Sequence, residues 1–223
     1  MVISPGGIGE VIKSHFLREN YNVSISKTSP IVFVERFHDA FAVISILVVF
    51  QLFNGISFLA LPIYIVGTFL LTGLLLVRNR KILETFSSKL TKLKFFKTYK
   101  QNSKEFNESV ITLLNKKSIF CSWGFSIISW MFDAIGIYLC FLAFDINFDF
   151  ILSTIIGFSS ILFGAISFIP AGVGVTEISF VNLLTQYDVE FSLATALVFF
   201  VRLASIWYAT ILGVITTKFV YKN

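Results

Sequence analysis

Long apolar runs, interrupted at a few polar positions, dominate this chain. A membrane-spanning helix needs about 20 mostly apolar residues, and residues 30–53, 55–77, 118–143 and 193–217 each meet that condition. Asn54-Gly55 supplies a tight turn between the first two, and Pro30 suits the first turn of its helix. Residues 5–18 and 175–187 are apolar on one side but too short to cross, and 150–169 stops at Pro170 and a Gly-rich run. Such elements are predicted to be re-entrant, which a bilayer tolerates only where protein or a watery cavity satisfies the freed backbone groups. The pattern predicts an all-α polytopic membrane protein: one membrane domain over 1–223, with four spanning helices and re-entrant half-helices.

The same polar interruptions occur twice, in the same order. SPGGIGEVIKSHFLREN is followed by a polar linker and IVFVERFHDAFAVISIL; IPAGVGVTEISFVNLLTQ is followed by an acidic linker and LVFFVRLASIWYATILG. Pro5 lies 31 residues before Arg36, and Pro170 lies 32 before Arg202. The first repeat unit falls within 4–77, and the second within the later half, 118–217. Repeated segments broken by Gly and Pro are a mark of membrane proteins with a central, alternately exposed site.

Composition agrees with a membrane protein and adds an orientation. Hydrophobic residues make up 56% of the 223 and charged ones 14%, with a mean hydropathy of +0.82; a soluble domain carries roughly 25% charged residues. Between Arg78 and Lys117 stand 11 basic and three acidic residues, so this segment carries +8 of a net +5 and the remainder −3. The positive-inside rule places 78–117 in the cytoplasm. The helices before and after it then alternate, three full crossings separate the two copies, and the repeat is predicted to be inverted. The terminal Lys218 and Lys222 also fall on the cytoplasmic side, and the acidic stretches 144–149 and 188–190 outside. Within the loop, Phe86, Leu90, Leu93 and Phe96 recur at helical spacing, which suits an amphipathic helix on an anionic leaflet or a solvated basic connector. No soluble domain or groove-reading motif accompanies the basic charge, so no nucleic-acid partner is expected.

Charges inside apolar spans are costly and therefore candidates for function. Arg202 stands about ten residues into its helix, roughly 15 Å along it, and Glu177 in the same repeat unit is its natural partner. By analogy Glu10 would serve Arg36, with Glu35 and Asp39 close by. These Arg/Glu pairs read either as a polar floor that grips an anionic lipid headgroup or as buried ion pairs that fix the re-entrant elements. A phosphate could also rest on the amides of Gly6-Gly7-Ile8-Gly9, or of Gly172-Val173-Gly174, where each half-helix begins. Asp133, mid-helix, is a third cavity group or a partner for a neighbouring helix, and Lys13 snorkels or pairs with Glu10.

Other chemistry finds no footing. Cys121 and Cys140 lie 19 residues apart in one helix, roughly 28 Å, and cannot bridge. His15 and His38 have no metal-ligand spacing. There is no metalloprotease, nucleophile-elbow or phosphate-loop motif and no Ser/His/Asp set, so neither catalysis nor a cofactor is expected. The start, MVISPGG, lacks the basic region and apolar core of a cleavable signal peptide.

At SPGGIGEVIK, FVERFHD, IPAGVGVTE and FFVRL the chain resembles the flippase-like membrane family that includes the transmembrane domain of lysylphosphatidylglycerol synthases and proteins once labelled dolichol-phosphate-glucose synthetases. The resemblance covers nearly the whole chain. It implies translocation or binding of an anionic phospholipid or polyprenyl-phosphate glycolipid in the cell membrane, without synthesis. The family pattern falls on Pro5, Gly6, Gly9, Glu10, Lys13, Glu35, Arg36, Asp39, Pro170, Gly172, Gly174, Glu177 and Arg202. Ala171 stands where the family commonly has glycine, and relatives usually carry further helices before the first motif, which implies an N-terminally truncated chain. Two further readings stay open: a lipid aminoacyl- or glycosyl-transferase, and a non-transporting assembly partner, with membrane lipids, a partner subunit or a second copy as its company.

Overall fold

The computed structural model describes residues 18, 23, 25–55, 63–68, 71–73, 113, 115–167 and 169–220. Almost all of them are helical, and no strand occurs among them. The main elements are α1 (Ile25–Asn54), α2 (Lys116–Ala143), α3 (Phe150–Ile166), a 3-10 turn (Pro170–Gly172), α4 (Val175–Thr185), α5 (Phe191–Arg202), a π-helical turn (Leu203–Trp207) and α6 (Tyr208–Val220). Among the described residues three stretches are long and apolar enough to cross a bilayer: Val34–Phe53, Ser118–Ala143 and Phe191–Gly213. Of the span expected over 55–77, residues 63–68 and 71–73 are described and are helical. The half-helix expected over 5–18, apart from Arg18, and the basic loop up to residue 112 lie outside the described residues.

Two helix limits differ from the reading of the sequence. The first begins at Ile25, so Pro30 sits inside the helix rather than in its opening turn, and the i→i−4 bond its missing N–H would have made is absent. The last runs unbroken from Phe191 to Val220 because the π turn absorbs an extra residue without a break.

The helix ends are set by local chemistry. Gly55, at φ +66°, donates to the Gln51 carbonyl at 2.9 Å and closes α1. After α2, Asp145 takes the left-handed conformation (φ +54°) while the Ile146 N–H reaches the Phe141 carbonyl at 3.0 Å. After α4, Asp188 (φ +61°) and Val189 repeat this stop, with Leu184 as acceptor at 3.2 Å. Both are reversed-turn caps in which a short acid stands where glycine is usual. Asp149 then caps α3, accepting from the Leu152 N–H at 2.6 Å. The acids that read as outside loops therefore also stop and start helices.

The chain forms two compact units, and α1 and α2 each begin in one and end in the other. In the first, which holds the described residues up to 46 and those from 63 to 130, Phe41 lies 5.7 Å from Trp123, and Asp39 accepts from Ser126 at 3.1 Å. The second unit, 47–55 and 131 onward, is organised around α3. Phe150 at its start meets Phe50 and Tyr138 at 5.9 and 5.6 Å. Phe141, Ile155, Ile156, Phe158, Phe180 and Leu184 form the core of this unit. Helix α3 is buried almost all round although it carries Ser153, Thr154, Ser159 and Ser160. Thr154 and Ser160 turn their hydroxyls back onto the Phe150 and Ile156 carbonyls, at 2.7 and 2.8 Å, which removes the cost of burying them. At 17 residues α3 is roughly 25 Å long, shorter than the roughly 30 Å hydrocarbon layer. It packs on α4, and α4 on α5.

Candidate functional site

The turn between α3 and α4 is built from the sequence IPAGVG. Pro170 starts a 3-10 turn, and Ala171, Gly172 and Gly174 all have positive φ, at +54°, +64° and +87°. Two of the three are glycines, for which this region is free of steric cost; Ala171 is held there by the surrounding contacts. Gly172 is also needed for space. A Cβ on it would lie 2.9 Å from Gly164 Cα, and one on Gly164 would strike the Thr176 hydroxyl. The backbone of the turn therefore lies directly on α3.

Arg202 ties this turn to the last span. Its Nε donates to Glu177 Oε1 at 2.5 Å, its Nη2 to the Ala171 carbonyl at 2.7 Å, and the other Glu177 oxygen accepts the Gly174 N–H at 2.6 Å. The side chains are 12% and 32% exposed. Glu177 is thus both the counter-ion that makes a guanidinium tolerable inside an apolar helix and the cap of α4. The expected phosphate cradle is already filled: Gly172 and Val173 donate to the Ile169 and Pro170 carbonyls at 2.9 and 3.2 Å, and Gly174 to Glu177. A phosphate would have to displace these internal acceptors. The π turn starts one residue beyond Arg202, at Leu203.

In the first unit α1, Leu113 and the start of α2 line an open-sided cavity of about 420 Å³, formed by Ile31, Val34, Glu35, Arg36, His38, Asp39, Leu113, Ser118, Ser122, Phe125 and Ser126. Its volume falls in the range of small-molecule sites. Arg36 bridges to Asp39 at 3.3 Å, the side chains being 49% and 27% exposed. His38 forms part of the wall at 3% exposure, and its Nε2 has no hydrogen-bond partner among the described residues. Donors and acceptors of both charge signs thus converge in an apolar helix pair, near the start of two spans.

The structure brings Glu35, Arg36 and Asp39 together at this cavity, and Pro170, Gly172, Gly174, Glu177 and Arg202 at the turn. Asp133 is exposed on α2 and does not line the cavity. Pro5, Gly6, Gly9, Glu10 and Lys13 lie outside the described residues, so the expected Glu10 partner of Arg36 does too. His38 and the serines at 118, 122 and 126 are cavity residues that reading the sequence passed over. The four-residue spacing of the serines, one helical face, was the available signal. Among the described residues no group of three or more His, Cys, Asp and Glu could hold a metal ion, and Cys121 and Cys140 are free thiols.

The chain is similar to known membrane proteins. Over 98% of the chain and 93% of the relative, it is 25% identical to an UPF0104 membrane protein of Methanocaldococcus jannaschii. A second UPF0104 membrane protein, from Pyrococcus horikoshii, is 28% identical over 92% of the chain and 68% of the relative. A third, from Methanothermobacter thermautotrophicus, is 33% identical over 40% of the chain and 27% of the relative. No solved structure matches the chain. The lysylphosphatidylglycerol synthase TM region matches residues 1–213. With several apolar helices, two of them bearing charged sites, this is a multi-pass membrane protein that belongs to the lysylphosphatidylglycerol synthase TM region family.

Proposed function

We propose that this protein takes the headgroup of an anionic phospholipid or a polyprenyl-phosphate glycolipid into a polar cavity within the membrane and passes it between leaflets without chemical change. The observation that carries this reading is the 420 Å³ cavity where Arg36, Glu35 and Asp39 meet at the start of two spans. Charged groups in the opening turns of an apolar span need a polar occupant or each other, and a half-exposed guanidinium is suited to phosphate. The Arg202 clamp takes the other role weighed above: it holds the re-entrant turn in place. The basic segment 78–117 and the C-terminus face the cytoplasm in this proposal, where positive charge is retained.

The test is lipid transfer in vesicles. The full chain is reconstituted with a fluorescent anionic phospholipid, and the fraction open to an impermeant quencher is followed in time. Transfer faster than in protein-free vesicles, reduced on the order of tenfold or more by Arg36→Ala, is the expected result. Transfer by the unaltered protein at the protein-free rate would overturn the proposal.

A further inference from the structure

We propose that Asp39 is a built-in competitor for Arg36: the incoming phosphate displaces it from the guanidinium, and it takes the guanidinium back when the lipid leaves. The inference rests on the headgroup reading above and adds how the cavity lets go. Asp39 is held from two sides, through different oxygens. Its Oδ1 accepts from the Ser126 hydroxyl of α2 at 3.1 Å, and its Oδ2 bridges to Arg36 Nη2, three residues earlier on α1, at 3.3 Å. All three residues line the cavity.

The two contacts do different work. The Ser126 bond joins residues 87 apart in the sequence and fixes the carboxylate across the helix pair, whereas the Arg36 bridge runs between neighbouring turns of one helix and both its partners are partly exposed. Pairs of that second kind are weak. A phosphate can meet the guanidinium with two oxygens in forked geometry, so it replaces the single Nη2–Oδ2 contact. Ser126 then keeps the displaced carboxylate beside the site. Two anions share one guanidinium in that state, and their repulsion weakens the hold on the lipid. A carrier needs a site that binds well enough to load and weakly enough to unload.

The experiment uses the full chain in phosphatidylcholine vesicles with a rising fraction of fluorescent phosphatidylglycerol, and reads the fraction that gives half-maximal transfer together with the maximal rate. Asp39→Asn keeps an oxygen for the Ser126 hydroxyl and removes the charge. The half-saturating fraction should fall on the order of tenfold, the scale of one nearby charge, and the maximal rate should fall with it because release has slowed. A merely damaged protein loses rate and needs more lipid, not less. Asp39→Glu keeps the charge and should stay near the unaltered protein. In the residual transfer of Arg36→Ala, adding Asp39→Asn should no longer lower the half-saturating fraction, since the effect runs through the guanidinium. Asp39→Ala also removes the charge and serves the same measurement where Asp39→Asn does not fold. A half-saturating fraction that is unchanged or raised in the charge-free variants, a maximal rate that is not lowered, an equal shift in Asp39→Glu, or a shift that persists without Arg36 would each overturn the proposal. The two readings fail separately. Transfer that needs Arg36 but is indifferent to Asp39→Asn removes this one alone, whereas transfer by the unaltered protein at the protein-free rate removes both.

Discussion

Arg202 Nε and Glu177 Oε1 meet at 2.5 Å across 25 residues of sequence, and through that bond the last span grips the turn between α3 and α4. The same guanidinium reaches the Ala171 carbonyl, so three elements depend on one side chain. Arg202→Ala should destabilise the protein by roughly 3 kcal/mol, the scale for leaving a partly buried acid without its partner. Glu177→Gln keeps an acceptor for the Gly174 N–H and should cost less, about 1–2 kcal/mol. Arg202→Lys cannot serve Nε and Nη2 positions together and should fall near the alanine variant. Thermal unfolding in detergent ranks the three; an Arg202→Ala protein as stable as the parent would remove the clamp from this description.

Helix α3 and the turn meet backbone to backbone at Gly164 and Gly172. A methyl group at Gly164 has nowhere to go, because the Thr176 hydroxyl and the Gly172 Cα stand in its place. Gly164→Ala should cost about 1–3 kcal/mol as an overpacked core. Gly172→Ala should cost more, since the collision is joined to a left-handed backbone. The same unfolding measurement, extended to Gly124→Ala, where a Cβ meets nothing within 4 Å, provides the control.

Ala171 sits at φ +54°, a conformation that costs an L side chain roughly 1 kcal/mol. Ala171→Gly should therefore raise the midpoint of thermal unfolding, because the Arg202 bond is to the backbone carbonyl and survives the change. No gain in the midpoint would argue against a left-handed residue here. This also accounts physically for the glycine expected at that position.

The two arginines should separate stability from transfer. Arg36 is half exposed, and its bridge to Asp39 lies three residues away on the same helix, worth only about 0.2–0.5 kcal/mol. Arg36→Ala should lower the unfolding midpoint less than Arg202→Ala does, while slowing lipid transfer. Arg202→Ala should lower both. Loss of stability without loss of transfer in Arg36→Ala would reverse the roles assigned to the two.

Much of the second half was legible in the chain. A guanidinium ten residues into an apolar helix requires an acid, and Glu177 was the acid its own repeat unit provided. The first half was less legible. Arg36 was assigned Glu10 by analogy, which lies outside the described residues; among those described it bridges to Asp39 three residues on along its own helix, with Glu35 its immediate neighbour in the chain. The amides of Gly172, Val173 and Gly174 looked open for a phosphate, but the backbone folds its own carbonyls and Glu177 onto them.

Sequence alone determined where the apolar spans lie, that a Gly/Pro turn breaks the chain before Glu177, and which charges needed partners. These follow from local composition, because the bilayer punishes any unpaired polar group wherever it occurs. Only the tertiary structure decided that His38 and the serines of α2 share a cavity with Arg36, and that Arg202 reaches the Ala171 carbonyl as well as Glu177 and so secures the turn. A serine or histidine in an apolar helix satisfies the same pattern whether it faces lipid, core or cavity, and the choice is made only when the second helix packs against it.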